Sequence, residues 1–167
     1  MRFLQHGMLL LMLLPAGTAW GGGWDIGVSA EIVDTVDAPY FEEGPGFHLG
    51  YEFIDTEDVS LGLQLHYVNG NTREQDLLYD DEMTFTSTAV FATLRPRHWP
   101  LFVKLGRVHA EYTTLFERGE GSGLAWGAGL VFGDDYWRLH VLDYERYELD
   151  GVSFNTFSIT VTVIFVP

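Results

Sequence analysis

An alternation of apolar and polar residues recurs in eight separate segments of this chain and constrains its fold more than any other feature. In the clearest segment, residues 59–69, one face consists of Val59, Leu61, Leu63, Leu65 and Tyr67. Successive side chains of a β-strand point to opposite faces, so a period of two predicts strands. The other segments are residues 24–34, 47–55, 83–95, 101–112, 123–132, 136–147 and 157–167.

The apolar faces of these segments are wide and rich in aromatic residues, which indicates the side on which they lie. The lumen of an eight-stranded barrel has room only for modest side chains. Tyr67, Trp126 and Phe132 fit better on the outside, where aromatic girdles lie at the membrane interfaces. The sequence therefore predicts an all-β fold, an eight-stranded antiparallel up-and-down transmembrane β-barrel. The alternative is a soluble, lipocalin-like barrel with the apolar faces inside.

The connections between the segments alternate in length. Those after segments two, four and six are short, whereas those after segments one, three and five are residues 35–46, 71–82 and 114–122. Bacterial outer-membrane barrels have short periplasmic turns and longer extracellular loops. An even number of strands returns both termini to the periplasmic side. We therefore expect long extracellular loops at these three places.

Acidic residues concentrate in the longer loops, with aromatic residues among them. The chain has 24 Asp and Glu against 9 Lys and Arg, which gives a net charge of −15. This balance argues against nucleic acid as a partner, because binding to phosphates depends on Lys and Arg. The loop residues predicted to contact a partner or lipopolysaccharide head groups are Tyr40, Phe41, Glu42, Glu43, Tyr79, Asp80 and Asp81. Divalent cations would have to bridge these carboxylates to phosphate groups.

The first residues have the layout of a secretory signal peptide. Arg2 precedes an apolar run over residues 8–14, and Pro15 ends that run well short of a membrane-spanning helix. Small residues up to Ala19 predict cleavage there, which divides the chain into a signal peptide (1–19) and a barrel domain (20–167). The chain has no cysteine, so disulfides, thiolate metal sites and a lipid-modified cysteine are excluded.

Three segments have an uncertain phase. In the fourth, which is apolar or hydroxylated on both faces, we assign Val90, Ala92 and Leu94 to the outer face. In the fifth, unbroken alternation would turn Arg107 outward, so either the strand has left the apolar zone there or a bulge shifts its phase. In the seventh, Asp143 breaks the alternation, and a bulge is again an alternative.

The inward faces carry charged residues that the sequence predicts to interact across the lumen. The predicted luminal charge network consists of Glu31, Glu52, Lys104 and Arg138. Buried charges need partners of opposite sign and hydrogen bonds, so these residues are expected to form structural ion pairs. A second interpretation is a gate, in which a change of partners opens a narrow water path.

Catalytic, metal and cofactor sites are not predicted. His48, His66 and His140 share the inward face, but their spacing does not establish convergence on one metal ion, and luminal hydrogen bonding is the simpler interpretation. Ser60 and His66 share a face of one strand but stand about 20 Å apart at strand rise. A nucleophile and its base must be in contact, so no enzyme activity is expected.

The second half of the chain resembles a known family, the small eight-stranded outer-membrane β-barrel proteins (OmpA/OmpX-like, often labelled porin family or surface antigen). The resemblance is carried by "LFVKLG" at 101–106, by "GLAWGAGLVFGDDYWRLHVLDYERYELDG" at 123–151 and by the closing alternation up to Phe165. It implies an outer-membrane location, and contact of the last strand with the outer-membrane assembly machinery. In the family that strand usually ends on Phe, whereas Val166 and Pro167 follow here.

These features predict a structural or surface-interaction protein of the Gram-negative outer membrane, surrounded by membrane lipid and lipopolysaccharide. The first alternative is a narrow gated pore for small solutes or ions, because wide channels belong to barrels of roughly 16 strands. The second alternative is a lipid-modifying outer-membrane enzyme.

Overall fold

The computed structural model contains eight β-strands that close into one antiparallel barrel. It describes residues 22–35, 38–72, 83–113, 118–149 and 151–165. The strands are β1 (Trp24–Thr35), β2 (Ala38–Asp55), β3 (Val59–Thr72), β4 (Met83–Pro96), β5 (Leu101–Thr113), β6 (Arg118–Gly133), β7 (Trp137–Leu149) and β8 (Val152–Phe165). Each strand pairs with the next in sequence, and β1 closes the barrel by pairing with β8. This is the predicted up-and-down topology.

The large apolar side chains of the strands point outward. On β8, exposed apolar residues from Phe157 to Phe165 alternate with the buried residues Ser158, Thr160, Thr162 and Ile164. On β4, Ala92 and Leu94 are exposed and Val90 is partly exposed, whereas Phe91 between them is buried, which confirms the assignment of this strand. A soluble barrel with its apolar faces inside is therefore excluded. No helix in the described part of the chain is long and apolar enough to span a membrane.

The two ends of the barrel differ in their connections. At one end, called the turn end below, residues 56–58, 97–100 and 134–136 form tight connections between paired strands. β1 starts and β8 finishes at this end, because Trp24 pairs with Phe165. The opposite end, called the loop end, contains the connections that the sequence predicts to be long.

Two of the three predicted long loops are shorter in the structure. β2 begins at Ala38 and its Glu42 pairs with Val33, so most of the predicted loop at 35–46 is strand. β6 begins at Arg118, which reduces the predicted loop at 114–122 to residues 114–117. The prediction was wrong because backbone pairing continues beyond the apolar zone, where neither face has to be apolar and the alternation disappears. Most of the third predicted loop lies outside the described residues.

The register of β5 and β7 decides the phase that the sequence left open. β5 pairs without interruption, so Arg107 lies on the outer face between Val90 and Leu124, at the edge of the apolar zone. β7 contains a bulge, since its register shifts between His140 and Asp143, where Leu142 has a φ of 51°. Because of this extra residue, Asp143 and every second residue after it point into the lumen, whereas unbroken alternation would turn them outward.

The lumen is filled by two layers of different chemistry. Toward the loop end lies an apolar layer, formed by Val33, Val68, Phe85, Ala89, Phe91, Val108, Ala110, Tyr112, Ala125, Tyr147, Leu149 and Phe154. Within it, the ring centroids of Phe85 and Phe154 are 4.9 Å apart, and Phe85 stacks on Tyr147 at 6.1 Å. Charged, imidazole and hydroxyl side chains fill most of the middle and the turn end of the lumen, together with Phe102, Val131 and Ile164.

Candidate functional site

The middle of the lumen contains a buried cluster of charged side chains around Lys104 of β5. The Lys104 ammonium donates to Asp143 Oδ2 at 2.8 Å and also to the Glu145 carboxylate. It lies 5.2 Å from the centroid of the Phe91 ring, within the range of a cation–π contact. Both carboxylates belong to β7, and the bulge at Leu142 directs them toward β5. The buried Lys104 is therefore paired with two carboxylates, those of Asp143 and Glu145.

Gly127 of β6 provides the space in which this cluster forms. It pairs with Lys104 on one side and with Glu145 on the other, so the two long side chains cross in front of it. A Cβ atom at this position would lie 3.0 Å from Lys104 Cε and 3.2 Å from Glu145 Cγ. The absence of a side chain therefore lets residues from β5 and β7 meet across β6.

His66 of β3 connects the Lys104 cluster to the far wall of the barrel. Its Nε2 lies 3.2 Å from Glu31 Oε1 of β1, and its Nδ1 lies 2.8 Å from Glu145 Oε1. The Nδ1 contact is close but not aligned as a hydrogen bond. Tyr147 donates its hydroxyl proton to the same Glu145 carboxylate. Side chains of four strands therefore form one continuous chain of contacts across the lumen.

A second cluster lies nearer the turn end and is centred on Glu52. Arg138 binds its carboxylate with two hydrogen bonds, of 2.6 Å and 3.0 Å, in the paired geometry that suits a guanidinium. Arg95 adds a third contact at 3.2 Å. One carboxylate therefore holds two arginines from different strands, which cross-links β2, β4 and β7 inside the barrel.

Arg97 extends the charged surface to the mouth of the barrel at the turn end. It donates to Asp55 and, at 3.3 Å, to Asp135, so it connects the turns that follow β2, β4 and β6. Partial burial acts to lower the pKa of the Arg97 guanidinium, but the hydrogen bonds to these two carboxylates outweigh burial and raise it. The guanidinium therefore stays charged and fixes the turns relative to one another.

Two spaces within the described part of the barrel lie on the side of the turn end. A cavity of about 40 Å³ between Glu52, Arg138 and His140 is large enough for one or two water molecules. Beyond it, a vestibule of about 490 Å³ opens at the turn end, lined in part by Asp55 and Arg97. The apolar layer separates this water-accessible region from the loop end.

The structure distributes the predicted luminal charge network over two clusters. Glu52 and Arg138 contact each other directly, whereas Glu31 and Lys104 are connected only through His66 and Glu145. Both clusters also contain residues that the sequence did not predict, namely Arg95, Asp143, Glu145 and Tyr147. The last three follow the bulge, so a strand drawn with strict alternation turns them outward.

The three inward histidines do not converge on one point. His48 lies 3.1 Å from Asp25 Oδ1 and 3.1 Å from the Thr162 hydroxyl, while its ring centroid is 5.9 Å from that of His140. His66 contacts carboxylates instead, as described above. These contacts agree with the interpretation of luminal hydrogen bonding.

The predicted loop-interaction residues belong to different parts of the chain. The backbones of Tyr40, Phe41 and Glu42 lie in β2, and Glu43 is exposed and pairs with Ile32 of β1. Tyr79, Asp80 and Asp81 lie outside the described residues. Their contact with a partner stays a prediction.

Comparisons with known proteins identify the fold. No protein-family model matches the chain, and no characterised protein matches it by sequence. Among solved structures, it is similar to the attachment invasion locus protein Ail of Yersinia pestis, in complex with the heparin analogue sucrose octasulfate. The identity is 21%, with a TM-score of 0.58, over 86% of this chain and 97% of that chain. Ail in a phospholipid bilayer nanodisc matches with 19% identity and a TM-score of 0.52, over 86% of this chain and 99% of that chain.

A second neighbour comes from another bacterium. The N-terminal β-barrel domain of Pseudomonas aeruginosa OprF matches with 17% identity and a TM-score of 0.51, over 84% of this chain and 97% of that chain. The fold of this protein is therefore that of the small eight-stranded outer-membrane barrels, which confirms the resemblance found in the sequence.

Proposed function

We propose that this protein is an integral barrel of the outer membrane of a Gram-negative bacterium, with a structural or surface-interaction role. In this proposal residues 1–19 are removed on export, and the turn end with both termini faces the periplasm. The loop end then faces the outside of the cell. Membrane lipid and lipopolysaccharide surround the apolar outer face, and the assembly machinery recognises the last strand.

The observation that carries this proposal is the filled lumen. The apolar layer closes the barrel toward the loop end with fully buried side chains such as Phe85, Tyr147 and Phe154. The Lys104 and Glu52 clusters cross-link the walls beneath it. Such packing in the described part of the barrel supports a scaffold that presents its outer face and its loop end.

A surface role fits the way in which the strands extend past the apolar zone. Arg107, Glu111, Glu120 and Glu148 are exposed on the outer face near the loop end. A polar belt at this level would face the head groups of the outer leaflet. Ail is described with a sulfated heparin analogue, but a net charge of −15 disfavours a polyanion as the ligand of this chain.

The alternative function is a narrow gated pore, and the open vestibule favours it. The vestibule of about 490 Å³ reaches Glu52 and Arg138 from the turn end. Exchange of ion-pair partners in that cluster would lengthen the water path toward Lys104. The apolar layer would also have to move before such a path crossed the barrel.

A paired gel of the outer-membrane fraction, boiled and unboiled in SDS, tests the proposed location and fold. A closed barrel keeps its backbone hydrogen bonds internal, so the unboiled protein is expected to migrate faster than the boiled form. A single unshifted band in the soluble periplasmic fraction would contradict the proposal.

Conductance in planar lipid bilayers separates the scaffold from the pore. The purified barrel is expected to leave the bilayer current at background over a wide voltage range. Stepwise single-channel currents that change in Glu52→Gln or Lys104→Met would establish the pore instead.

A further inference from the structure

His109, Glu111 and Glu120 form a group of metal-ligating side chains on the outer face of β5 and β6. The potential ligand atoms of the three residues all lie within 4.8 Å of one another. His109 is partly buried and both glutamates are exposed. We propose that this group binds one zinc ion, or a related transition-metal ion, just beyond the apolar zone toward the loop end.

The register of the two strands explains why these side chains meet. Glu111 and Glu120 are direct partners across the β5–β6 ladder. His109 lies on the same face of β5, two residues before Glu111. Side chains of direct cross-strand partners have Cβ atoms about 5 Å apart. Paired strands, rather than a loop, therefore hold all three ligands in place.

The imidazole of His109 has a hydrogen-bond partner that can fix its tautomer. His109 Nδ1 lies 3.0 Å from the hydroxyl oxygen of Ser122, its direct partner on β6. When Nδ1 donates to that oxygen, the unprotonated Nε2 is free to coordinate a metal. Histidines that bind metals generally donate their second nitrogen in this way, which fixes the tautomer and the ring.

The carboxylates have an electrostatic reason to accept a cation. Like charges that face each other directly across two strands destabilise the pair. Arg107 and Arg118 lie two residues before His109 and Glu120 on the same face. In the described part of the chain, however, neither Glu111 nor Glu120 forms an ion pair with a basic side chain. A bound dication would offset the repulsion between Glu111 and Glu120.

The donor set selects the class of metal. One imidazole nitrogen and two carboxylate oxygens suit Zn²⁺, which commonly has three protein ligands and an open position for water. Ca²⁺ and Mg²⁺ prefer sites made of oxygen alone. Metal ligands must be deprotonated to coordinate, so binding should weaken as the pH falls.

The site can be tested by calorimetric titration of ZnCl₂ into the folded full-length barrel in detergent micelles at neutral pH. We expect one Zn²⁺ per barrel, unaffected by excess Mg²⁺, with affinity reduced about tenfold or more in His109→Gln and in Glu120→Gln. Ser122→Ala should weaken binding by a smaller factor. The matched control is His98→Gln, because His98 is an exposed histidine at the turn end, with its Nε2 3.2 Å from Asp58 Oδ1. The zinc affinity of His98→Gln should equal that of the wild type.

Three results would overturn the proposal. The first is an absence of zinc uptake by the wild type, and the second is equal affinity in the wild type and His109→Gln. The third is displacement of zinc by Mg²⁺, which would indicate ordinary attraction to acidic groups. The boiled and unboiled gel establishes that every variant is folded, so a loss of binding is not mistaken for a loss of structure.

Discussion

Asp143 lies 2.8 Å from Lys104 inside the barrel, although the alternation that begins at Trp137 would turn it outward. The bulge at Leu142 resolves this conflict by inserting one residue that has no partner on β6 or β8. Leu142 adopts a left-handed φ of 51° and is 72% exposed on the outer face. Backbone strain at a lipid-facing leucine is therefore linked directly to the luminal ion pairs.

The strain at Leu142 makes this position sensitive to the shape of the side chain. Leu142→Val should reduce the free energy of unfolding by about 1–3 kcal/mol, because a β-branched residue rarely adopts a positive φ. Leu105→Val is the matched control, since Leu105 is 58% exposed on the outer face of an unbulged strand. Urea titrations of barrels folded in phospholipid vesicles measure the difference. Equal losses in the two variants would show that the bulge carries no strain.

Removal of the buried base should be costly because it takes a partner from each of its two acids. Lys104→Met leaves Asp143 without a cation and Glu145 with His66 alone, and loss of one partner from a buried ion pair costs about 3–5 kcal/mol. Lys104→Met combined with Asp143→Asn should recover part of that loss, because the uncompensated charge of Asp143 is then absent. A double-mutant cycle measured by urea unfolding gives the coupling energy. Strictly additive losses would contradict the ion pair.

The Glu52 cluster provides a second comparison between buried and exposed pairs. Glu52→Gln leaves Arg138 and Arg95 without a carboxylate, so we expect a loss of about 3–5 kcal/mol. Asp135→Asn removes the more exposed partner of Arg97, and a pair of that kind contributes about 0–1 kcal/mol. The two variants can be compared by thermal or urea unfolding in the same vesicles. A similar loss in both would mean that burial does not control these ion pairs.

Much of the fold could be predicted from the sequence because lipid imposes a simple rule on every strand. A side chain that faces lipid must be apolar, so the pattern along residues 157–165 identifies both the strand and its outer face. Beyond the lipid that rule no longer applies. For this reason the extension of β2 back to Ala38 and of β6 back to Arg118 left no trace in the alternation.

The luminal site could be predicted only in part. Strict alternation correctly turned Glu52, Lys104 and Arg138 inward, but it could not show which of them meet, because partners on different strands depend on register. At Asp143 the broken alternation indicated a bulge as one alternative, which the register of β7 confirms, but it did not show that Asp143 and Glu145 meet Lys104. It also gave no indication of the apolar layer, because inward phenylalanines such as Phe91 lie on strands with apolar residues on both faces.

A side chain at Gly127 should destabilise the barrel, whereas a side chain at Gly121 of the same strand should not. Gly127→Ala places a methyl group against Lys104 and Glu145 and against the backbone oxygen of Tyr144, so we expect a loss of about 1–3 kcal/mol. Gly121→Ala is the control, because a Cβ there meets only Leu149, at ordinary contact distances of 3.5 Å and 4.0 Å. Urea unfolding of both variants measures the contrast. If Gly121→Ala lost as much stability as Gly127→Ala, a general cost of replacing glycine in β6, rather than a lack of space, would explain both losses.

The apolar layer, and not the charged clusters, is expected to close the lumen to ions. Glu52→Gln should leave the current across a planar bilayer at background, since Phe85 and Phe154 remain in place above it. Phe85→Ala combined with Phe154→Ala removes two rings that are 1% exposed, and should give measurable single-channel currents. Because each buried Phe→Ala change costs about 3–5 kcal/mol, the gel shift of the unboiled protein must first establish folding. Phe157→Ala combined with Phe165→Ala removes two rings from the outer face and is the control. Currents in Glu52→Gln alone would mean that the ion pairs form the gate.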